Sequence, residues 1–198
     1  MAFLKLQNWL EWRRTQIYTQ LLKKDFGKIG KKSVVCYPFH SADVSGVFLG
    51  DDCIICPHSW IAVVKSYGGT FYDPKIEIGD GSYFGNRLHM IACGRMSIGK
   101  KVVCADGVYI TDNLHGYQNI DKPILESPLV SAGPVSIGDQ AWLGENVCVM
   151  PNVKIGKRAV IGANSVVTKD IPDFCVAVGT PAKVIKKYCF KRAEWIRV

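Results

Sequence analysis

The sequence predicts an all-β fold, a coil of short parallel strands. Three observations carry that expectation: a six-residue period along most of the chain, small residues at fixed places within each period, and a composition suited to one folded core. From Ile137 the chain reads IGDQAW LGENVC VMPNVK IGKRAV IGANSV VTKDIP, led by Ile137, Leu143, Val149, Ile155, Ile161 and Val167. The pattern recurs upstream at Ile78, Phe84 and Met90, resumes after two extra residues at Ile98, Cys104 and Ile110, and is weaker at Leu49, Ile55 and Ile61. A period of six fits neither a helix, at about 3.6, nor an isolated strand, at about 2. A chain wound as three short parallel strands per turn, about eighteen residues, satisfies it, with each lead residue pointing inward and stacked on its counterpart one turn later.

Within each block the second place, as in Gly138 and Gly144, is expected at a tight corner where glycine permits close backbone approach and positive φ. The fifth place (Ser82, Ala141, Val147, Ala159, Ser165) faces inward and stays small. Cys53 occupies that place, so the eight cysteines are expected as packed thiols. The CxxC of Cys53 and Cys56 has no second pair at metal-site spacing.

Taken in order, residues 1–32 form an N-terminal helical segment. Leu6, Trp9, Leu10, Ile17 and Leu21 recur at helical spacing, which predicts an amphipathic helix to about Lys24. Its apolar face is expected against its own coil or a neighbouring subunit, and peripheral contact with an anionic membrane is the alternative. The coil follows over 33–185, with a loop inserted at 116–134, and a short terminal helix is expected over 186–198. The loop reads GYQNIDKPILESPLVSAGP and is too apolar for a free tail.

The 198 residues suffice for one domain without disulfides or metals, and 48% apolar with 21% charged residues describes a soluble globular chain. No signal peptide is visible and no apolar run approaches the ~20 residues of a bilayer span, so a cytoplasmic protein is expected. The net charge of +8 gathers at the two ends, which points to an anionic partner.

The hexapeptide pattern resembles the left-handed parallel β-helix acyltransferases over roughly Leu49 to Ile185. The stretches ITDNLHGY, GPVSIGDQAWLGENVCVMPNVKIGKRAVIGANSVVTKDIP and VGTPAKVI resemble, within that family, the sugar O-acetyltransferases, which include galactoside, maltose and capsular-polysaccharide enzymes. The resemblance implies left-handed winding, a homotrimer with active sites between subunits, acetyl-CoA as donor, a sugar acceptor, no metal and no nucleic-acid partner. His115 falls where that family has its catalytic histidine, and as the last residue of the block ITDNLH it is expected to face outward. A neutral imidazole can take the proton of an attacking hydroxyl, typically worth ~10²–10⁴ in rate. Its orientation would come from Asp112 or a backbone carbonyl. His89 is a weaker candidate for the same cleft, and His40 and His58 read as structural or exposed.

For the donor, the resemblance implies Trp142 beside the pantetheine, the backbone of Gly144 and Glu145 near the thioester, and Ala163 and Thr168 along the arm. Lys169, Lys183 and Lys186 would meet phosphates. On the acceptor side Tyr83 matches an aromatic of the galactoside and maltose enzymes, with Asn86 and Asp112 as hydrogen-bonding candidates. Gly85 and Cys93 stand where those enzymes place Asn and Asp, so a simple galactoside is not expected. Two other readings remain at this stage. One is an N-acetyltransferase of an amino sugar or antibiotic, and the other is a non-catalytic scaffold. A γ-carbonic-anhydrase-like hydratase needs three zinc-binding histidines, which His89 and His115 do not supply.

Overall fold

The computed structural model describes residues 2–198. After one helix, α1 (Ala2–Leu22), the chain passes repeatedly through three sheets in a fixed order. Sheet A contains Lys28–Ile29, Val47–Leu49, Lys75–Ile78, Arg95–Ile98, Val135–Ile137 and Lys154–Ile155. Sheet B begins with Val34–Val35, Ile54–Ile55, Tyr83–Phe84, Val103–Cys104, Trp142–Leu143 and Val160–Ile161. Sheet C contains Phe39–His40, Ser59–Val63, His89–Ala92, Tyr109–Thr111, Cys148–Val149 and Val166–Val167. Each visit to A, B and C completes a turn, and successive turns pair in parallel.

The registers explain why the sequence must repeat. Leu49, Ile78, Ile98, Ile137 and Ile155 are Cα partners down sheet A, Ile55, Phe84, Cys104, Leu143 and Ile161 down sheet B, and Ile61, Met90, Ile110, Val149 and Val167 down sheet C. All of these lead residues are at most 4% exposed and belong to one core. Each turn therefore removes its apolar stacks from water only because the next turn covers them.

The corners divide the glycine expectation in two. At the second place close approach is real: a Cβ on Gly144 would lie 2.7 Å from the Ala163 backbone nitrogen. Positive φ falls instead at the fourth place, at Gln140, Asn146, Asn152, Arg158 and Asn164, with φ between 52 and 59°. Short polar side chains and asparagines tolerate this left-handed turn best. His58 stands at the same place, with φ 60°, and is a corner residue.

Four cysteines (Cys53, Cys93, Cys104 and Cys175) are buried and four half-buried, all as free thiols. Complete burial pushes the Cys104 thiol up to about 12.

Three expectations require correction. The C-terminal segment is not helical. After Cys175–Gly179 pairs in parallel with Val160–Ile161, the strands Ala182–Cys189 and Glu194–Arg197 fold back antiparallel onto sheet B. The reason is the open edge of the last turn, whose unpaired backbone groups need partners. Val184, Ile185, Tyr188, Trp195 and Ile196 also favour strands. The Ala182–Cys189 strand runs through the expected boundary at 185, and the coil's first strand already begins at Lys28.

The loop opens earlier than 116. The strand Tyr109–Thr111 ends at the corner, Asp112 turns away, and Asn113–His115 pairs antiparallel with Leu129–Ser131. His115 thus lies on the arm of a projecting hairpin and not on a coil block. A second, unexpected hairpin, Ser66–Tyr67 with Thr70–Phe71, projects after Ser59–Val63. Gly68 and Gly69, with φ 55 and 79°, form its two-residue turn, the glycine pair that such turns favour.

Candidate active site

Both hairpins leave the coil at the edge where sheet C hands over to sheet A, two turns apart, and they meet around His115. The exposed His115 ring packs edge to face against Tyr67, with centroids 5.3 Å apart. Tyr72 Oη donates to the carbonyl of Leu129 at 2.9 Å, and Leu129 is the cross-strand partner of His115. The Gly68 turn sits so close to the loop that a Cβ there would lie 2.8 Å from Ser127 and Pro128 backbone atoms. The first hairpin therefore braces the arm that carries the histidine. The spacing of Ile61 and Ile78, seventeen residues where the period requires six, was the sequence signal for it.

Asp112 anchors the base of the second hairpin. It is fully buried, and its carboxylate accepts the backbone N–H groups of Cys93 and Gly94, at 2.9 and 2.8 Å, and the Asn113 amide at 3.0 Å. These bonds tie the hairpin to the corner of the preceding turn. Burial and the neighbouring Asp112 push the Cys93 thiol up to about 11. Asn86 serves a similar corner function, since its backbone N–H and side-chain amide both donate to Asp106.

Thr168 and Lys169, exposed after Val166–Val167, share the C-to-A edge with His115, two turns further along. The other expected residues lie elsewhere. Tyr83 and Trp142 stand on the outer face of sheet B, in one row with Val103, Val160, Val176 and Lys186. Trp142 is 51% exposed. At a strand spacing of ~4.8 Å, the row from Trp142 to Lys186 covers roughly 14 Å. Lys183 is adjacent, opposite Val178. Gly144, Glu145 and Ala163 occupy the neighbouring edge, where B hands over to C. Sheet B is the side of the coil opposite the C-to-A edge. One chain thus gathers Tyr67, Asp112, His115, Thr168 and Lys169 on one edge, and Tyr83, Trp142, Lys183 and Lys186 across the coil from them.

The electrostatics follow the local packing. A hydrogen bond and Coulomb contact with Cys56 push the Tyr83 hydroxyl up to about 12. His89 stacks between Trp60 (4.2 Å) and Tyr109 (5.1 Å) on sheet C, and burial lowers its pKa from 6.5. Among the described residues no three His, Cys, Asp or Glu side chains are placed to hold a metal ion.

A bacterial transferase hexapeptide (six repeats) model matches residues 134–169. WbbJ of Escherichia coli, named as a lipopolysaccharide biosynthesis O-acetyl transferase, is 36% identical over 135 residues, 65% of either chain. YJL218W of Saccharomyces cerevisiae, named as an acetyltransferase, is 42% identical over 119 residues, covering 59% of this chain and 58% of its own length. The chain thus spans under two thirds of each of these curated relatives. Among solved structures, a maltose O-acetyltransferase from Clostridium difficile superimposes with a TM-score of 0.55 at 28% identity, covering 85% of this chain and 73% of its own. The N-acyltransferase AntD from Bacillus cereus, solved with dTDP and 3-hydroxybutyryl-CoA, gives a TM-score of 0.69 at 18% identity, covering 87% and 89%, a likeness of fold alone.

Proposed function

We propose that the chain belongs to the hexapeptide-repeat transferase family and is an acetyl-CoA-dependent O-acetyltransferase that modifies a sugar hydroxyl in surface-polysaccharide or glycoconjugate synthesis, with His115 as general base. The coil winds left-handed in this reading, an exception to the right-handed crossover rule. The protein works as a cytoplasmic homotrimer whose active sites lie between subunits.

The observation that carries the proposal is the division of the site residues between opposite sides of one coil. His115, Thr168 and Lys169 stand on one edge and the Trp142-to-Lys186 row lies across from it, so only a second copy can bring the two sets together. The outer faces are suited to such contact. Sheet A presents Lys28, Phe48, Glu77, Ser97, Ser136 and Lys154, a row polar except for Phe48, whereas sheet B presents Tyr83, Val103, Trp142, Val160 and Val176, and sheet C presents Trp60, His89 and Tyr109. Two unlike apolar faces on one chain fit a heterologous contact that closes as a ring.

The row from Trp142 suits the donor's chemistry, since its apolar side chains match a pantetheine arm and Lys183 and Lys186 at its end match phosphates. Acetyl-CoA supplies the thioester whose acetyl group moves from sulfur to oxygen. His115 accepts the hydroxyl proton as the C–O bond forms and returns it to the departing sulfur. Tyr67 holds the imidazole plane from one side. The buried carboxylate of Asp112 positions the hairpin through its three bonds and does not reach the acceptor.

The test is transfer from labelled acetyl-CoA to cell-envelope sugars, with matched hydroxyl and amino acceptors. Hydroxyl acceptors should be used and His115→Ala should lose at least ~10² in rate, while the coenzyme still raises the melting temperature. Lys169→Ala should raise the donor KM more than it lowers kcat. Unchanged activity of His115→Ala would remove the assignment of the base, and exclusive use of amino acceptors would replace O-transfer by N-transfer.

A further inference from the structure

We propose that α1 is a docking element for an anionic phospholipid surface. The inference stands on the helix itself and is independent of the catalytic reading. The last two turns of α1 hold it to the coil, with Arg14 against Tyr37 just before them. Thr15 and Thr19 are buried, the Val35 backbone N–H donates to Thr19 Oγ1 at 3.0 Å, and Tyr18 and Leu22 pack against the core. Residues 3–14, more than three turns, are exposed throughout.

The exposed side of the helix is not polar. Phe3, Leu6, Leu10, Ile17 and Leu21 fall within about 60° of one another around the helix axis, opposite Thr15 and Thr19. They are 76, 55, 53, 65 and 69% exposed. Leu10, Ile17 and Leu21 continue into an open apolar groove that Tyr37 closes from the coil. Arg13 and Arg14 bracket this stripe, one on each side, with the Arg14 guanidinium over the Tyr37 ring at 4.7 Å. Trp9 is half exposed beside it, and indole rings favour the boundary between headgroups and acyl chains.

Charge selects the occupant. On α1 itself Lys5, Arg13 and Arg14 stand against Glu11, and Lys23 and Lys24 follow its end, so the stripe sits on a cationic element. An apolar stripe flanked by cations fits a surface that is apolar beneath and anionic on top. Pairing two such stripes would set Arg13 and Arg14 of one helix against those of the other, which favours the lipid surface over pairing of the helices. No helix among the described residues is long and apolar enough to cross a membrane, so α1 would lie on the bilayer.

The experiment is co-sedimentation of the full chain with vesicles of phosphatidylcholine alone and of phosphatidylcholine mixed with phosphatidylglycerol, at low and high salt, with the oligomeric state measured in parallel. The protein should pellet with the phosphatidylglycerol vesicles and be released by salt. Arg13→Glu combined with Arg14→Glu, and separately Leu10→Gln with Ile17→Gln and Leu21→Gln, should each reduce binding at least tenfold while leaving the oligomer intact. These side chains are exposed, so folding should not change. Equal binding to neutral vesicles would overturn the proposal, as would no binding to either. Dissociation of the oligomer in the Leu10, Ile17 and Leu21 variant would assign the stripe to a subunit contact instead.

Discussion

The coil and the two hairpins that leave it are held together in different ways. In the coil every lead residue is buried and every inner turn is paired on both sides, so the same interaction recurs with small variations. The hairpins interrupt the repeat at one edge and hold each other through single contacts: Tyr67 on His115, Tyr72 on Leu129, and Gly68 against Ser127 and Pro128. Stability should therefore reside in the repeat and chemistry in its interruptions. Substitutions in the two regions ought to separate the two properties.

The largest effect is expected in the coil. Phe84 is completely buried in sheet B, between Ile55 and Cys104. Phe84→Ala should cost about 3–5 kcal/mol of unfolding free energy, because the stacked turns cannot collapse into the space left behind. Urea denaturation followed by circular dichroism measures this. A cost as small as that of an exposed hairpin residue would mean that the turns do not cooperate, and the contrast would fail from the coil's side.

A smaller effect is expected at the brace. Tyr72→Phe removes one hydroxyl and its bond to the Leu129 carbonyl, worth about 0.5–1.5 kcal/mol. That energy holds the arm carrying His115 and not the core. The urea midpoint should stay within error while kcat falls roughly two- to tenfold and the donor KM is unchanged. A loss of global stability with kcat preserved would place the first hairpin within the coil's cooperative unit.

How much of this was legible in the sequence follows the same division. Ile137 to Val167 read directly as a coil because each block repeats its neighbour's instructions. The chain's exceptions were harder. The block ITDNLH keeps the period in letters, yet Thr111 ends the strand and the bonds of Asp112 to Cys93 and Gly94 turn the chain outward. Those two partners are eighteen and nineteen residues away, beyond any local pattern. The tail over 186–198 departs from its expected helix for a related reason: its strands form because the last turn leaves an edge, a property of the coil and not of the tail's own periodicity. Tyr67 and Tyr72 carry no motif, and only the packing of the two hairpins brings them to His115. The donor roles proposed for Trp142, Lys183 and Lys186 rest on resemblance, although the alignment of Trp142 with Lys186 in one row is a consequence of the repeat.

The smallest expected effect compares two histidines, one in each region. His89 stacks between Trp60 and Tyr109 on the coil, where burial holds its pKa below 6.5, so the folded chain binds its proton less readily than the unfolded chain. Stability rises with pH wherever the unfolded state holds more protons. His89 therefore contributes stability that is fully present above about 6.5, the ordinary value for histidine, and is lost as pH falls through its lower folded value. Below that value both states are protonated and the dependence on this group levels off. His89→Gln removes the titration, so its urea midpoint should change less than the parent's between neutral and mildly acidic pH. At His115 the expected order is reversed, with transfer lost and the midpoint little changed by His115→Ala. If His89→Gln instead abolished transfer while leaving the pH profile of stability intact, the chemistry would have to be moved from the hairpins onto the outer face of sheet C.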